Sequence, residues 1–242
     1  MLIALWSAKG GSGTSVFTAA CALVLARDAH DAGRPHGVRI ADLAGDQPAI
    51  FNLGSDPELG LADWLAAGPE APTDALDRLL VEVATGVGLL PWGGRGTAGA
   101  SAPAPEAGAA LAVALGHGSA TTLVDCGTAR DPASRAVVEV ADVSLVVLRG
   151  CYLALRRAVH EPALATTAGA VLLEESGRAL SAREVSEVFD LPVLARVPVK
   201  SVIARSVDAG VLAGRLPDSL ARAASDLLDR ISSRTDRNGA AA

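Results

Sequence analysis

The segment Ala8-Lys9-Gly10-Gly11-Ser12-Gly13-Thr14-Ser15 limits what this chain can fold into more than any other stretch. It lies between Leu2–Trp6, an apolar run that reads as a buried strand, and residues 14–27, a helix apolar on nearly every side (Val16, Phe17, Ala20, Leu23, Val24). A helix of that kind is buried. Three glycines in four residues let the turn take backbone angles that other residues avoid and let its backbone approach a ligand closely. Such N–H groups, added to the partial positive charge of a helix N-terminus, favour an anion, phosphate above all. Taken alone, KGGSG is also compatible with a ligand-free strand–helix turn, so its surroundings decide.

Those surroundings are short apolar runs alternating with helical patterns. Strands are expected at 37–42, 79–83, 87–91, 121–125, 143–148, 170–173 and 192–197, the second and third flanking a turn at Thr85-Gly86. Helices are expected at 58–67, 105–115, 132–140, 152–161 and 218–231. The fourth should end or kink at Pro162. A further helix at 181–188 opens with a capping box, Ser181 with Glu184. This alternation predicts an α/β fold: a mainly parallel sheet with helices on both faces, right-handed crossovers, and ligands at the carboxyl ends of the strands. Residues 93–108, rich in Gly, Ala and Pro, read as a flexible loop inside a single domain spanning 1–231. Residues 232–242 read as a frayed polar tail.

Composition removes several function classes. With 242 residues, half of them hydrophobic, the chain can build one large core and is not disordered. A net charge of −6 argues against a globally basic nucleic-acid surface, and 3% aromatic residues argue against base-stacking platforms. Cys21, Cys126 and Cys151 are far apart and form no CxxC or Cys/His cluster, so zinc, haem and iron–sulfur sites are not expected. The start has no basic region of a leader, and no apolar run reaches the ~18 residues of a membrane span. A reduced, cytoplasmic protein is the expectation. Arginine outnumbers lysine 19 to 2, which makes Lys9 and Lys200 stand out.

The loop resembles the K-G-G-x-G-K-[ST] motif of the ParA/MinD family of deviant Walker A P-loop ATPases, of the SIMIBI class. Lys9, Gly10, Gly11, Gly13 and Ser15 match it. The resemblance implies that Gly10, Gly11, Ser12, Gly13, Thr14 and Ser15 surround the phosphates of ATP. It implies that Ser15 and Asp125 hold magnesium, and that Lys9 reaches across a nucleotide-sandwich homodimer. Asp125 closes the Walker B-like strand Thr121–Asp125 and is followed by Gly127 as in switch II. The family's D-x-D motif falls at the end of the second strand, where Asp42 and Asp46 are alternative carriers of the water-positioning role.

The sequence also departs from the family. Thr14 replaces the loop's second lysine, which removes a positive charge beside a polyanion. Phosphoryl transfer depends on positioning and charge stabilisation, so slow or absent hydrolysis is expected. The adenine-reading Asn is missing at Leu172-Leu173, and Lys200 stands where an acidic residue is common. Together with Gly60–Leu65, this degeneracy resembles the TadZ/CpaE and septum-site-determining branch, here without a receiver-like domain before the loop. The implied function is positioning or partitioning by a nucleotide-weak or inactive scaffold that dimerises through its P-loop face and acts on an unnamed protein cargo. An active ATPase using Lys9 across a dimer is the first alternative. The second is a segregation factor that contacts DNA nonspecifically through the mildly basic last fifth, against which Asp208, Asp218, Asp226, Asp229 and Asp236 argue. The apolar stripe Leu220, Leu227, Leu228, Ile231 is expected to pack on the sheet instead of a membrane.

Overall fold

The computed structural model describes residues 1–33, 37–94, 104–178 and 180–239, with side chains to residue 234. Strand β1 (Leu2–Trp6) lies in the middle of the sheet. Every residue of β1 is buried, and the two-residue period divides them. Leu2, Ala4 and Trp6 enter one core, and Ile3 and Leu5 enter the other. This is why the strand reads as an unbroken apolar run.

The other strands are β2 (Val38–Asp42), β3 (Val81–Ala84), β4 (Val87–Leu90), β5 (Thr121–Asp125), β6 (Val143–Arg149), β7 (Gly169–Glu174) and β8 (Val193–Pro198). Their order is β3-β4-β2-β5-β1-β6-β7-β8, and all pair in parallel except the β3–β4 hairpin at one edge. Helix α1 (Thr14–Asp31) and helix α10 (Asp218–Gly239) cover one face. The other face is covered by α3 (Leu61–Ala66), α5 (Pro105–Gly116), α6 (Pro132–Val140), α7 (Tyr152–Ala158) and α8 (Ala182–Phe189). The expected parallel sheet with helices on both faces is therefore present.

Local chemistry sets most helix ends. Ser181 caps α8, and its partner Glu184 closes the capping box through the Ser181 N–H. Asp131 caps α6 by accepting from the Ser134 N–H, with Pro132 in the first turn. The expected helix at 152–161 ends at Ala158, and Pro162–Thr166 forms a 3-10 turn. Helix α10 continues to Gly239, past its expected end at 231 and through most of the expected frayed tail. Polarity suggested fraying there, but no Gly or Pro interrupts the chain between 218 and 238. Three helices, α2 (Gln47–Ile50), α4 (Ala75–Leu79) and α9 (Ser201–Asp208), had no sequence expectation. Of the expected loop, residues 95–103 lie outside the described residues.

The stretch Gly60–Leu65 has a packing role. The Leu61 N–H donates to the Pro91 carbonyl (2.8 Å) and the Ala62 N–H to the Trp92 carbonyl (2.9 Å), so the start of α3 lies on the chain leaving β4. A Cβ at Gly60 would overlap the Pro91 carbonyl and the Gly93 backbone. Gly60→Ala is expected to destabilise the fold by about 1–3 kcal/mol in urea unfolding, since neither backbone can move aside cheaply. An unfolding midpoint unchanged from the parent protein would contradict this close crossing.

Candidate functional site

The site is built at the carboxyl ends of β1, β2 and β5, where the chain leaves the sheet toward α1. Gly11 and Gly13 have φ of 74° and 82°, in the left-handed region that favours glycine. Space restricts Gly13 too, because a Cβ there would come within 2.7 Å of the Leu173 side chain. Ser12 Oγ donates to the Lys9 carbonyl (2.6 Å), and Ser7 Oγ lies 3.1 Å from both the Lys9 and Gly127 carbonyls. These bonds close the loop on itself. Among the described residues, no backbone N–H from Gly10 to Val16 donates to a protein acceptor. The loop therefore presents a row of free donors at the positive end of an 18-residue helix. Thr14 is 5% exposed, and its hydroxyl is buried without a partner.

Asp42 and Asp125 end neighbouring strands, lie opposite each other in the β2–β5 register, and are fully buried. Asp42 accepts from the backbone N–H groups of Ala44 (3.1 Å), Gly45 (2.7 Å) and Gln47 (2.9 Å). Burial, reinforced by the Asp125 charge, pushes the Asp42 carboxyl up to about 7, against the pull of those three N–H groups. Burial also raises Asp125, opposed by the nearby Ser15 hydroxyl and by the hydrogen bonds from Gln47 and Gly127. The Gln47 side-chain amide bridges the elements, with Nε2 donating to Asp125 Oδ2 (2.8 Å) and to the Ser15 carbonyl (3.0 Å). Ser15 Oγ donates to Asp46 Oδ2 (3.1 Å).

A cavity of about 800 Å³ opens over the loop, lined by Gly10 to Val16, Asp46, Gly127, Asp131 and Asp208 among others. It has three carboxylates and no lysine or arginine in its lining. Asp46 faces this cavity, whereas Asp42 does not. Lys9 is half-buried beside the loop, outside the cavity lining, and its side-chain ammonium makes no hydrogen bond or ion pair among the described residues. A second cavity of about 210 Å³ shares Gly13, Val16, Val207 and Asp208 with the first. It is mainly apolar, walled by Phe17, Leu173, Val197 and Ile203, with Arg149 and Lys200 as its basic members. Sequence reasoning missed Gln47, Ser7 and Asp208. Only the unusual placement of a polar residue before Pro48, just after a strand-ending Asp, could have marked Gln47.

The fold recurs in solved structures. A ParA family ATPase from Chlorobium tepidum superposes with a TM-score of 0.73 at 21% identity, over 93% of this chain and 96% of its own. The septum site-determining protein MinD from Pyrococcus horikoshii, complexed with Mg-ADP, superposes with a TM-score of 0.77 at 18% identity, over 95% of each chain. Cyanothece McdA in an ATP complex superposes with a TM-score of 0.73 at 14% identity, over 96% of each chain. The chain has the ParA/MinD-type P-loop fold. The likeness is one of architecture, since no family model and no curated protein matches the sequence.

The residues fit the two parts of a magnesium nucleotide differently. The unpartnered N–H groups and the orphaned Thr14 hydroxyl suit a phosphate. The positions implied for magnesium do not suit a cation: Asp125 is engaged by the Gln47 amide, and the Ser15 hydroxyl is turned toward Asp46.

The buried acid pair has a consequence for pH dependence. The Asp42 carboxyl sits near 7 in the folded protein and near ~4 when unfolded, so between those values the native state binds the additional proton. This contribution to stability is fully present below about pH 4 and is lost as pH rises toward about 7. Asp42→Asn is expected to flatten that slope, measured as urea midpoints from pH 4 to 8. An equally steep slope in the variant would place the titration elsewhere.

Proposed function

We propose that this protein is a ParA/MinD-like positioning or partitioning factor whose P-loop persists as a weak nucleotide site and hydrolyses ATP slowly or not at all. Thr14 carries the reading. Thr14 occupies the position where the resemblance puts a lysine, beside a cavity whose charged lining residues are all aspartates. A polyphosphate there meets backbone donors but no side-chain cation, and loss of such a group typically slows transfer by ~10²–10³-fold. In this reading Gly10, Gly11, Ser12, Gly13, Thr14 and Ser15 surround the anion. Asp46, which faces the cavity, is the better placed of the two alternative aspartates to meet an attacking water. The adjoining apolar cavity would take the base, with Lys200 and Arg149 at its wall.

The protein would act as a homodimer joined through the P-loop face, in the manner of the TadZ/CpaE and septum-site-determining branch, and would engage a protein cargo. A MinC:MinD complex from Aquifex aeolicus has the same fold in its MinD component, which supports the search for such a cargo. The freedom of the Lys9 side chain supports a second reading, in which Lys9 enters a partner's site and sustains turnover. No described helix is long and apolar enough to cross a membrane, and Leu220, Leu227, Leu228 and Ile231 of α10 are buried in the core.

Calorimetry with ATP and a nonhydrolysable analogue, paired with mass measurement in each state, tests the reading. Thr14→Lys is expected to bind at least about tenfold tighter, and a rise in turnover with it would show that the rest of the catalytic site is intact. Brisk hydrolysis by the unaltered protein that is abolished by Lys9→Ala would establish the second reading in place of the first.

A further inference from the structure

Gln47 is fully buried, one of few polar side chains among the described residues to be so, and its amide touches both residues to which the resemblance assigns magnesium, at the Asp125 carboxylate and the Ser15 carbonyl. Both partners of its amide nitrogen, Asp125 Oδ2 and the Ser15 carbonyl, are acceptors, so only the NH2 group can face them. Its other atom, Oε1, remains buried with no partner, which makes the placement specific to the nitrogen end. The backbone fixes the side chain. Asp42 gathers the N–H groups of Ala44, Gly45 and Gln47 itself, so the loop from 42 to 47 wraps around one carboxylate and projects the amide across to β5. Pro48 follows at once and begins α2.

A bridge between the end of β5 and the first turn of α1 is what a divalent cation supplies when it joins a strand-end carboxylate to a loop hydroxyl. Here the link is neutral and covalently part of the chain. A cation entering between Ser15 and Asp125 would have to expel a buried amide and turn Ser15 Oγ away from Asp46.

We propose that the Gln47 carboxamide is a built-in substitute for the divalent cation, tying Asp125 to the N-terminus of α1 and closing the site to metal. The inference concerns the same loop as the proposed function and rests on that reading only for where a cation would sit. Its test needs no nucleotide.

The full-length protein is titrated with manganese alone, and free Mn2+ is followed by electron paramagnetic resonance. The unaltered protein is expected to retain no Mn2+ up to millimolar concentration and to show no rise in unfolding temperature with the metal. Gln47→Ala frees the Asp125 oxygen and should bind Mn2+ at least about tenfold more tightly, with a metal-dependent rise in unfolding temperature. Asp125→Asn in that background should remove the gain. Should Gln47→Ala not fold, Gln47→Glu replaces the amide with a carboxylate of nearly the same shape, and its folding should be rescued by Mn2+. Retention of Mn2+ by the unaltered protein as tightly as by Gln47→Ala would overturn the proposal, as would the absence of any gain in both variants. Failure of ATP to bind would instead overturn the nucleotide reading and leave these results standing.

Discussion

The site depends on how two buried carboxylates at the ends of adjacent parallel strands are satisfied without a cation. Asp42 and Asp125 lie side by side, both fully buried, a placement that ordinarily demands a positive partner. Here only neutral donors serve them. Asp42 draws three backbone N–H groups, and Asp125 takes the Gln47 amide and the Gly127 N–H. Neutral donors offset desolvation less than a charge does, and Asp42 is accordingly raised to about 7. The path of the chain from β2 into α2 follows from this constraint, because the loop must wrap Asp42 to supply its donors.

The same absence of cations divides the cleft into two unlike halves. Over the loop, backbone dipoles face three aspartates, and at the apolar end Arg149 and Lys200 line the wall. Arg149 is already tied to Glu175 at 3.0 Å, which leaves Lys200 as the one basic side chain of that pocket without an ion pair among the described residues. A ligand spanning both halves would gain hydrogen bonds at the loop and apolar burial at the other end. It would gain little net electrostatic attraction from the side chains over the loop, where all charges are of one sign.

Much of this fold was legible in the sequence because a parallel sheet buried on both faces writes each strand as a short apolar run. Leu2–Trp6 and Thr121–Asp125 are present with their expected bounds. The glycine loop was legible because its geometry needs glycine at Gly11 and Gly13. The missed helices are short: Gln47–Ile50 has four residues and Ala75–Leu79 has five, too few to establish a period. The run at 79–83 was misplaced for the same reason, since Leu79 ends a helix and Leu80 only leads into the strand. Gln47 was invisible because its role comes from a contact with Asp125, 78 residues away, and no local pattern marks a side chain that acts across the sheet.

A threonine at position 14 leaves the loop intact, because side-chain charge contributes little to its shape. The loop is held by Ser12 and Ser7 through main-chain carbonyls, by the left-handed glycines, and by the fit of Gly13 against Leu173. None of these involves residue 14 beyond its backbone. Thr14 does bury a hydroxyl without a partner, a burden of roughly 1–3 kcal/mol that an apolar residue of similar size would not impose. A purely structural turn gains nothing from that hydroxyl. An anion bound at the loop, as proposed, would give the orphaned donor an acceptor.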